Sequence, residues 1–193
     1  MQIRSSHGLD QFCAVLEERR RLKILDLAGA TQSTISFVTE QGHQLYSNDF
    51  LLQLDDCFGE GDFYENQADP RKVERFMRAA LDFPRASFDG VLVWDALEYL
   101  APPLLATTVE RLHAILRPGA GLLAIFRAQE QKEPVPSFSY RIQDRRTVLL
   151  SPRGARRPAQ FFNNRALEKL FQRFHSVKFF LTRDALREVI VKR

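Results

Sequence analysis

Two aspartates, Asp26 and Asp49, stand where apolar strand-like runs end, and the small-residue turn Ala28-Gly29-Ala30 lies between them. In an open α/β sheet a ligand sits beyond the carboxyl ends of the strands, where small residues let it approach the backbone. Taken singly, Asp26 reads as a turn-capping carboxylate and Asp49 as a helix-capping acid. Together in one βαβ unit they point to a ligand site. Asp95 and Glu98 are three residues apart at a predicted helix start, which capping and surface charge explain equally well, so neither is assigned as a general base. Arg141, Arg145, Arg146, Arg153, Arg156 and Arg157 form a further set. They suit a carboxylate- or phosphate-bearing molecule, or else a solvated loop.

Metal and disulfide chemistry find little support. Cys13 and Cys57 are the only cysteines, and His7, His43, His113 and His175 show no ligand spacing, so neither a disulfide framework nor a zinc site is expected. The cysteines read as structural. His113 falls inside an apolar helix pattern and receives no catalytic role.

A chain of 193 residues, 45% apolar and 27% charged, is expected to form a single globular domain over residues 1–193. No apolar run approaches the roughly 20 residues needed to span a bilayer. Met1 to Asp10 has neither the apolar stretch nor the cleavage site of a signal peptide, so a cytoplasmic location is expected. The net charge of +4 is unevenly placed: residues 1–140 carry 14 Lys/Arg against 20 Asp/Glu, and residues 141–193 carry 14 against 4. That split hints at an acidic partner or substrate near the C-terminal third. Few aromatics interleave with the arginines, so a single-strand nucleic-acid platform is not expected.

The elements that must position these residues follow from hydrophobic periodicity. A helical lead-in over residues 1–21, with its helix from Asp10 to Arg21 carrying Phe12, Val15 and Leu16, precedes a buried strand, Leu22 to Ala28. Ser33 or Thr34 then caps a helix that stops at Gly42, and Gln44 to Asn48 forms the next strand, closed by Asp49. Leu51 to Asp69 reads as a loop or short helix. Pro70 opens a helix bearing Val73, Phe76, Met77, Ala80 and Leu81, and the continuous apolar centre of Phe88 to Asp95 marks a strand in mid-sheet. Pro102 and Pro103 start another helix, which ends at Arg117-Pro118-Gly119 before the strand Gly121 to Phe126. Residues 129–158 read as a basic excursion from the sheet. Asn163 or Asn164 caps a helix over Arg165 to Phe174, and Ser176 to Leu181 with Leu186 to Val191 alternates like an antiparallel pair. The architecture is α/β: a doubly wound, mostly parallel sheet closed by a C-terminal antiparallel hairpin.

Several of these segments together resemble the class I S-adenosylmethionine-dependent methyltransferases, especially small bacterial enzymes of the methyltransferase type 11 kind. "LKILDLAGATQSTISF" is similar to that family's first motif, "LYSND" to the acidic end of its second strand, and "FPRASFDGVLVWDALEYL" to its fourth-strand segment. "RLHAILRPGAGLLAIF" resembles its helix, Pro-Gly turn and fifth strand, and "FFNNRALEKLF" with the closing hairpin completes the order. The resemblance covers most of residues 22 to 193. It implies a Rossmann-like methyltransferase fold with S-adenosylmethionine as cofactor.

The same resemblance implies roles for particular residues. Asp49, followed by Phe50, would hold the ribose hydroxyls, since an ionised carboxylate accepts from both. Asp26 would steady the first turn near the methionine end of the cofactor, and Ala28, Gly29 and Ala30 would lie against it. Asp82 and Phe83 would contact adenine, while Trp94 and Asp95 would line the pocket beside the sulfonium. No catalytic acid or base is implied. The sequence departs from the family at Ala28, Ala30 and Gln32, where glycines are usual, and at Tyr99, where many relatives carry histidine. A side chain at Gln32 would fill cofactor space or demand a backbone angle that non-glycine residues avoid. The expected function is methyl transfer to a small acceptor, with the 129–158 excursion as its cover. A cofactor-less scaffold that binds an acidic protein or nucleic acid is the alternative, motivated by Gln32 and the basic C-terminal third.

Overall fold

The computed structural model describes residues 1–17, 21–131 and 133–193. The chain opens with β1 (Gln2–Ser5), α1 (His7–Glu17), β2 (Lys23–Asp26), α2 (Gln32–Glu40), β3 (Gln44–Ser47), α3 (Phe50–Phe58), α4 (Pro70–Leu81) and β4 (Phe88–Trp94). It continues with α5 (Pro102–Ile115), β5 (Leu116–Arg127), β6 (Val135–Asp144), β7 (Thr147–Arg156), α6 (Asn164–Leu170), β8 (Ser176–Leu181) and β9 (Leu186–Lys192). Short 3-10 turns occupy Glu65–Ala68 and Ala96–Tyr99.

Six strands form the main sheet in the order β3-β2-β4-β5-β9-β8. From β3 to β5 the strands are parallel, with Leu25 beside both Tyr46 and Val91. The hairpin of β8 and β9 then adds antiparallel to β5, with Val189 opposite Ala124. Because the parallel strands are covered on both faces, their apolar runs are continuous rather than alternating. On one face α3 to α6 supply Phe50, Phe58, Phe76, Leu112 and Leu167 to the core; on the other, α1 and α2 supply Leu9, Phe12 and Val38. Fully burying each such side chain contributes about 1.5–3 kcal/mol. Gly90 makes the second face possible. A Cβ there would stand 2.6 Å from the Phe12 ring, so only glycine lets α1 lie on the middle of the sheet.

Local signals place most elements correctly. Pro70 opens α4, with the Asp69 side chain capping it, and Asn163 caps α6. The cap of α2 is Thr31 rather than Ser33 or Thr34. The 51–69 stretch begins inside a nine-residue helix, α3, which starts at Phe50 and is capped by Asp49.

Two departures bear on the site. The lead-in is not wholly helical: Gln2–Ser5 is a strand, and α1 begins at His7, before the predicted Asp10. The predicted helix end at 18–20 and the side chain of Val15 lie outside the described residues. The second departure is that the basic excursion is an ordered hairpin, β6 and β7, which takes β1 as its third strand to form a separate antiparallel sheet. Tyr140, Ile142, Val148 and Leu150 from this small sheet pack with Trp94, Leu123 and Ile125 of the main one.

Part of the uneven charge is met within the molecule. Arg146 Nε lies 2.9 Å from Asp10 Oδ2, and Arg145 bridges Asp10 and Glu17. Arg153 pairs with Asp49 at 2.7 Å, and Arg156 Nη1 with Asp55 Oδ1 at 2.8 Å. Arginines of the excursion thus meet carboxylates from the first third of the chain. Among the described residues, no helix is long and apolar enough to cross a membrane.

Candidate functional site

The parallel strands β2, β3 and β4 end at one edge of the sheet, and each delivers a predicted residue there. Asp26 is the last residue of β2 and is fully buried. Its Oδ1 accepts the Ala28 N–H at 3.1 Å and the Trp94 indole N–H at 2.7 Å, while its Oδ2 is buried without a partner. Burial pushes the Asp26 carboxyl up to about 7, against the pull of the Trp94 and Ala28 donors; the nearby Asp49 charge adds to the rise.

Trp94 ends β4 with φ of +58°, where the β4–β5 register shifts. A bulky side chain in this left-handed region carries strain of about 1–3 kcal/mol, which persists only where surrounding contacts enforce it. Here the indole is held by its bond to Asp26 and by stacking on Tyr140, with centroids 4.7 Å apart and planes at 11°.

Asp49 follows β3 and caps α3. Its Oδ1 accepts the Leu52 N–H at 3.0 Å and Arg153 Nη1 at 2.7 Å. The turn after β2 closes directly against this segment, with Gly29 N donating to Asn48 O and Phe50 N to Leu27 O, both at 3.1 Å. Gly29 takes φ of +89°, and a Cβ there would lie 3.3 Å from Asp49 Oδ2. The positive φ favours glycine here, and a Cβ would also press on the Asp49 carboxylate. Ala28 is half-buried and bridged to Asp49, and Ala30 is exposed.

Asp95 is buried just past β4, accepts the Tyr99 hydroxyl at 3.3 Å, and is shifted upward by burial. Glu98, in the following 3-10 turn, accepts both the main-chain N–H and the guanidinium of Arg127. Burial outweighs Arg127 and pushes Glu98 up to about 7. Glu98 and Arg127 line a cavity of about 210 Å³ at the carboxyl end of β5, together with Gln129, Arg157 and Gln160.

The remaining predicted residues lie elsewhere. Phe50 is part of the core, edge-on to Phe76 at 5.0 Å, so its side chain faces away from the turn. Asp82 and Phe83 precede β4, with the Phe83 ring against Phe88, the first residue of that strand. A seven-residue strand is about 20 Å long, which puts them at the opposite edge of the sheet from Asp26 and Trp94. The reason is topological: α4 runs straight back to the amino end of β4. Gln32 is exposed on the first turn of α2, with helical backbone angles and Nε2 3.2 Å from Ser36 Oγ. The sequence does not point to Arg127 or Tyr140, and it offers Arg153 only as one of a basic set suited to an anionic molecule, not as a partner of Asp49. Only Arg127 carries a local signal, as the charge that ends the apolar β5 run.

No protein-family profile and no curated sequence matches the chain. Solved structures do share its fold. An S-adenosylmethionine-dependent methyltransferase from Mesorhizobium loti is 15% identical, with 95% of this chain and 98% of that one covered and a TM-score of 0.52. A second, from Archaeoglobus fulgidus, is 11% identical over 96% and 91% of the two chains, with a TM-score of 0.52. A third, from Methanosarcina mazei, is 16% identical over 91% and 93%, with a TM-score of 0.51. The chain therefore has the Rossmann-like fold of the class I S-adenosylmethionine-dependent methyltransferases, with the C-terminal antiparallel hairpin included.

Proposed function

We propose that the chain is an S-adenosylmethionine-dependent methyltransferase acting on a small acceptor. The observation that carries this reading is the apposition of Asp49 to Gly29 at the strand edge that also holds Asp26. Asp49 offers a carboxylate to ribose hydroxyls, and the Gly29 backbone lies beside it with no side chain between. The unpartnered, buried Oδ2 of Asp26 fits the ammonium of the cofactor's methionine end, which would supply the missing donors. These residues fit the cofactor.

When bound, the cofactor supplies a methyl group already activated by its sulfonium. The protein's task is then to hold two molecules in line and keep water out, which is where most of the acceleration of such a transfer lies. Trp94, buried and stacked on Tyr140, holds Asp26 in place from the core side through its indole N–H. The neighbouring cavity of about 210 Å³ suits a small polar acceptor, and Glu98 on its wall, with a carboxyl near 7, can take up a proton at neutral pH.

Calorimetric titration with S-adenosylmethionine or its demethylated product tests the reading directly. Saturable binding is expected; neither heat nor thermal shift at millimolar ligand would sink it.

A further inference from the structure

Asp49 has two claimants. A vicinal diol pairs bidentately by donating to each carboxylate oxygen, but Oδ1 already accepts Leu52 N and Arg153 Nη1, leaving Oδ2 over the Gly29 backbone. We propose that Arg153 is an intramolecular competitor for Asp49, and that it sets which ligands the site admits and how tightly. This inference rests on the cofactor reading above.

The fold aims Arg153 at this point. In the β6–β7 ladder Ser137 pairs with Gly154 and Phe138 with Pro152, so Arg153 is the extra residue of a bulge. A bulge leaves one residue outside the ladder and re-aims its side chain. Gly154, at φ of +140°, absorbs the accompanying backbone turn. The hairpin is pinned separately by Arg156 on Asp55 and by the Tyr64 hydroxyl on the Arg157 carbonyl. Releasing Arg153 therefore leaves the hairpin in place.

The pair is also suited to being displaced. The side chains of Arg153 and Asp49 are 26% and 27% exposed, so water reaches both and their attraction is weakened by solvent and salt. A ligand with two hydroxyl donors can replace the guanidinium. Ligands without the diol gain nothing by doing so.

Adenosine separates the competitor from other charge effects, because it carries the diol and no net charge. Its binding, and that of S-adenosylhomocysteine, is to be measured by calorimetry at low and high salt on the native protein and on Arg153→Ala and Arg153→Lys. Native affinity for adenosine should rise with salt as the ion pair is screened. Arg153→Ala should bind about two- to five-fold tighter and lose the salt trend, the scale of a partly exposed ion pair. Arg153→Lys keeps the charge and should retain the trend, so a misfolded Ala variant would not decide the matter. Native binding that is unchanged in Arg153→Ala overturns the competitor and leaves the cofactor reading standing. If no variant binds either ligand, both fall together.

Discussion

The Trp94 indole N–H donates to the Asp26 carboxylate at 2.7 Å, tying the carboxyl ends of the adjacent parallel strands β2 and β4 inside the core. Both residues are held in unfavourable states by this arrangement. Trp94 keeps a left-handed backbone, and Asp26 keeps a carboxyl with one oxygen unpartnered. Such concentrated strain is typical of ligand sites rather than of ordinary strand ends.

Replacing the indole tests the pair. Trp94→Phe keeps an aromatic face for Tyr140 but removes the donor, leaving Asp26 with the Ala28 N–H alone. A loss of about 1–3 kcal/mol in unfolding free energy is expected, the scale of a buried group deprived of a partner. Urea denaturation checks it, and a change below about 0.5 kcal/mol would mean the bond contributes nothing.

The pH dependence of stability has a defined sign. The Asp26 carboxyl titrates near 7 when folded and near 4 when unfolded, so the folded state binds its proton more tightly. The stability this contributes is full below about pH 4 and is lost as pH rises toward 7, levelling off above. Glu98, also raised to about 7, acts in the same sense. Asp26→Asn should flatten the slope and be more stable than the native protein at pH 8, by roughly 2 kcal/mol or more. Unfolding curves at pH 5 and pH 8 decide it.

Asp49 combines two roles that two substitutions separate. Asparagine caps helices as well as aspartate, so Asp49→Asn should leave stability within about 0.5 kcal/mol, whereas Asp49→Ala should lose about 1 kcal/mol through the cap of α3. Cofactor affinity should fall by about 1–3 kcal/mol in Asp49→Ala, the scale of a lost charge-assisted hydrogen bond. Unaltered calorimetric affinity would remove Asp49 from the site.

Arg127 and Glu98 should behave as a unit. Arg127→Met strands a buried carboxylate and should destabilise by about 3–5 kcal/mol above pH 7, with less effect at pH 5 where Glu98 is protonated. Adding Glu98→Gln should recover much of the loss. If the double variant is no more stable than the single one, the two side chains are not coupled.

How far the sequence alone reaches is clear from particular residues. The Pro at the start of α4, the apolar centre of β4 and the alternation of β8 and β9 are local signals, and the elements stand where those signals put them. Asp26 and Asp49 are recognisable because each ends an apolar run within one βαβ unit. Arg153 is not, because its reach depends on a bulge in a hairpin more than a hundred residues away from Asp49. Asp82 and Phe83 show the converse error. A motif was carried over intact, but without a strand between α3 and α4 the chain brings it to the amino edge of the sheet. Gln32 stands where glycine is usual, yet the first turn of α2 gives it helical backbone angles and turns its side chain to solvent.

The pairing of β1 with β7 has a consequence for how the fold comes together. Gln2–Ser5 find their ladder partners, Thr147 to Leu150, more than 140 residues further along the chain. Until β6 and β7 have paired, β1 has no edge to join. The small sheet that roofs Trp94 thus closes by a long-range pairing, and the loop-closure entropy of such contacts makes its third strand slower to join than the local β6–β7 hairpin is to form.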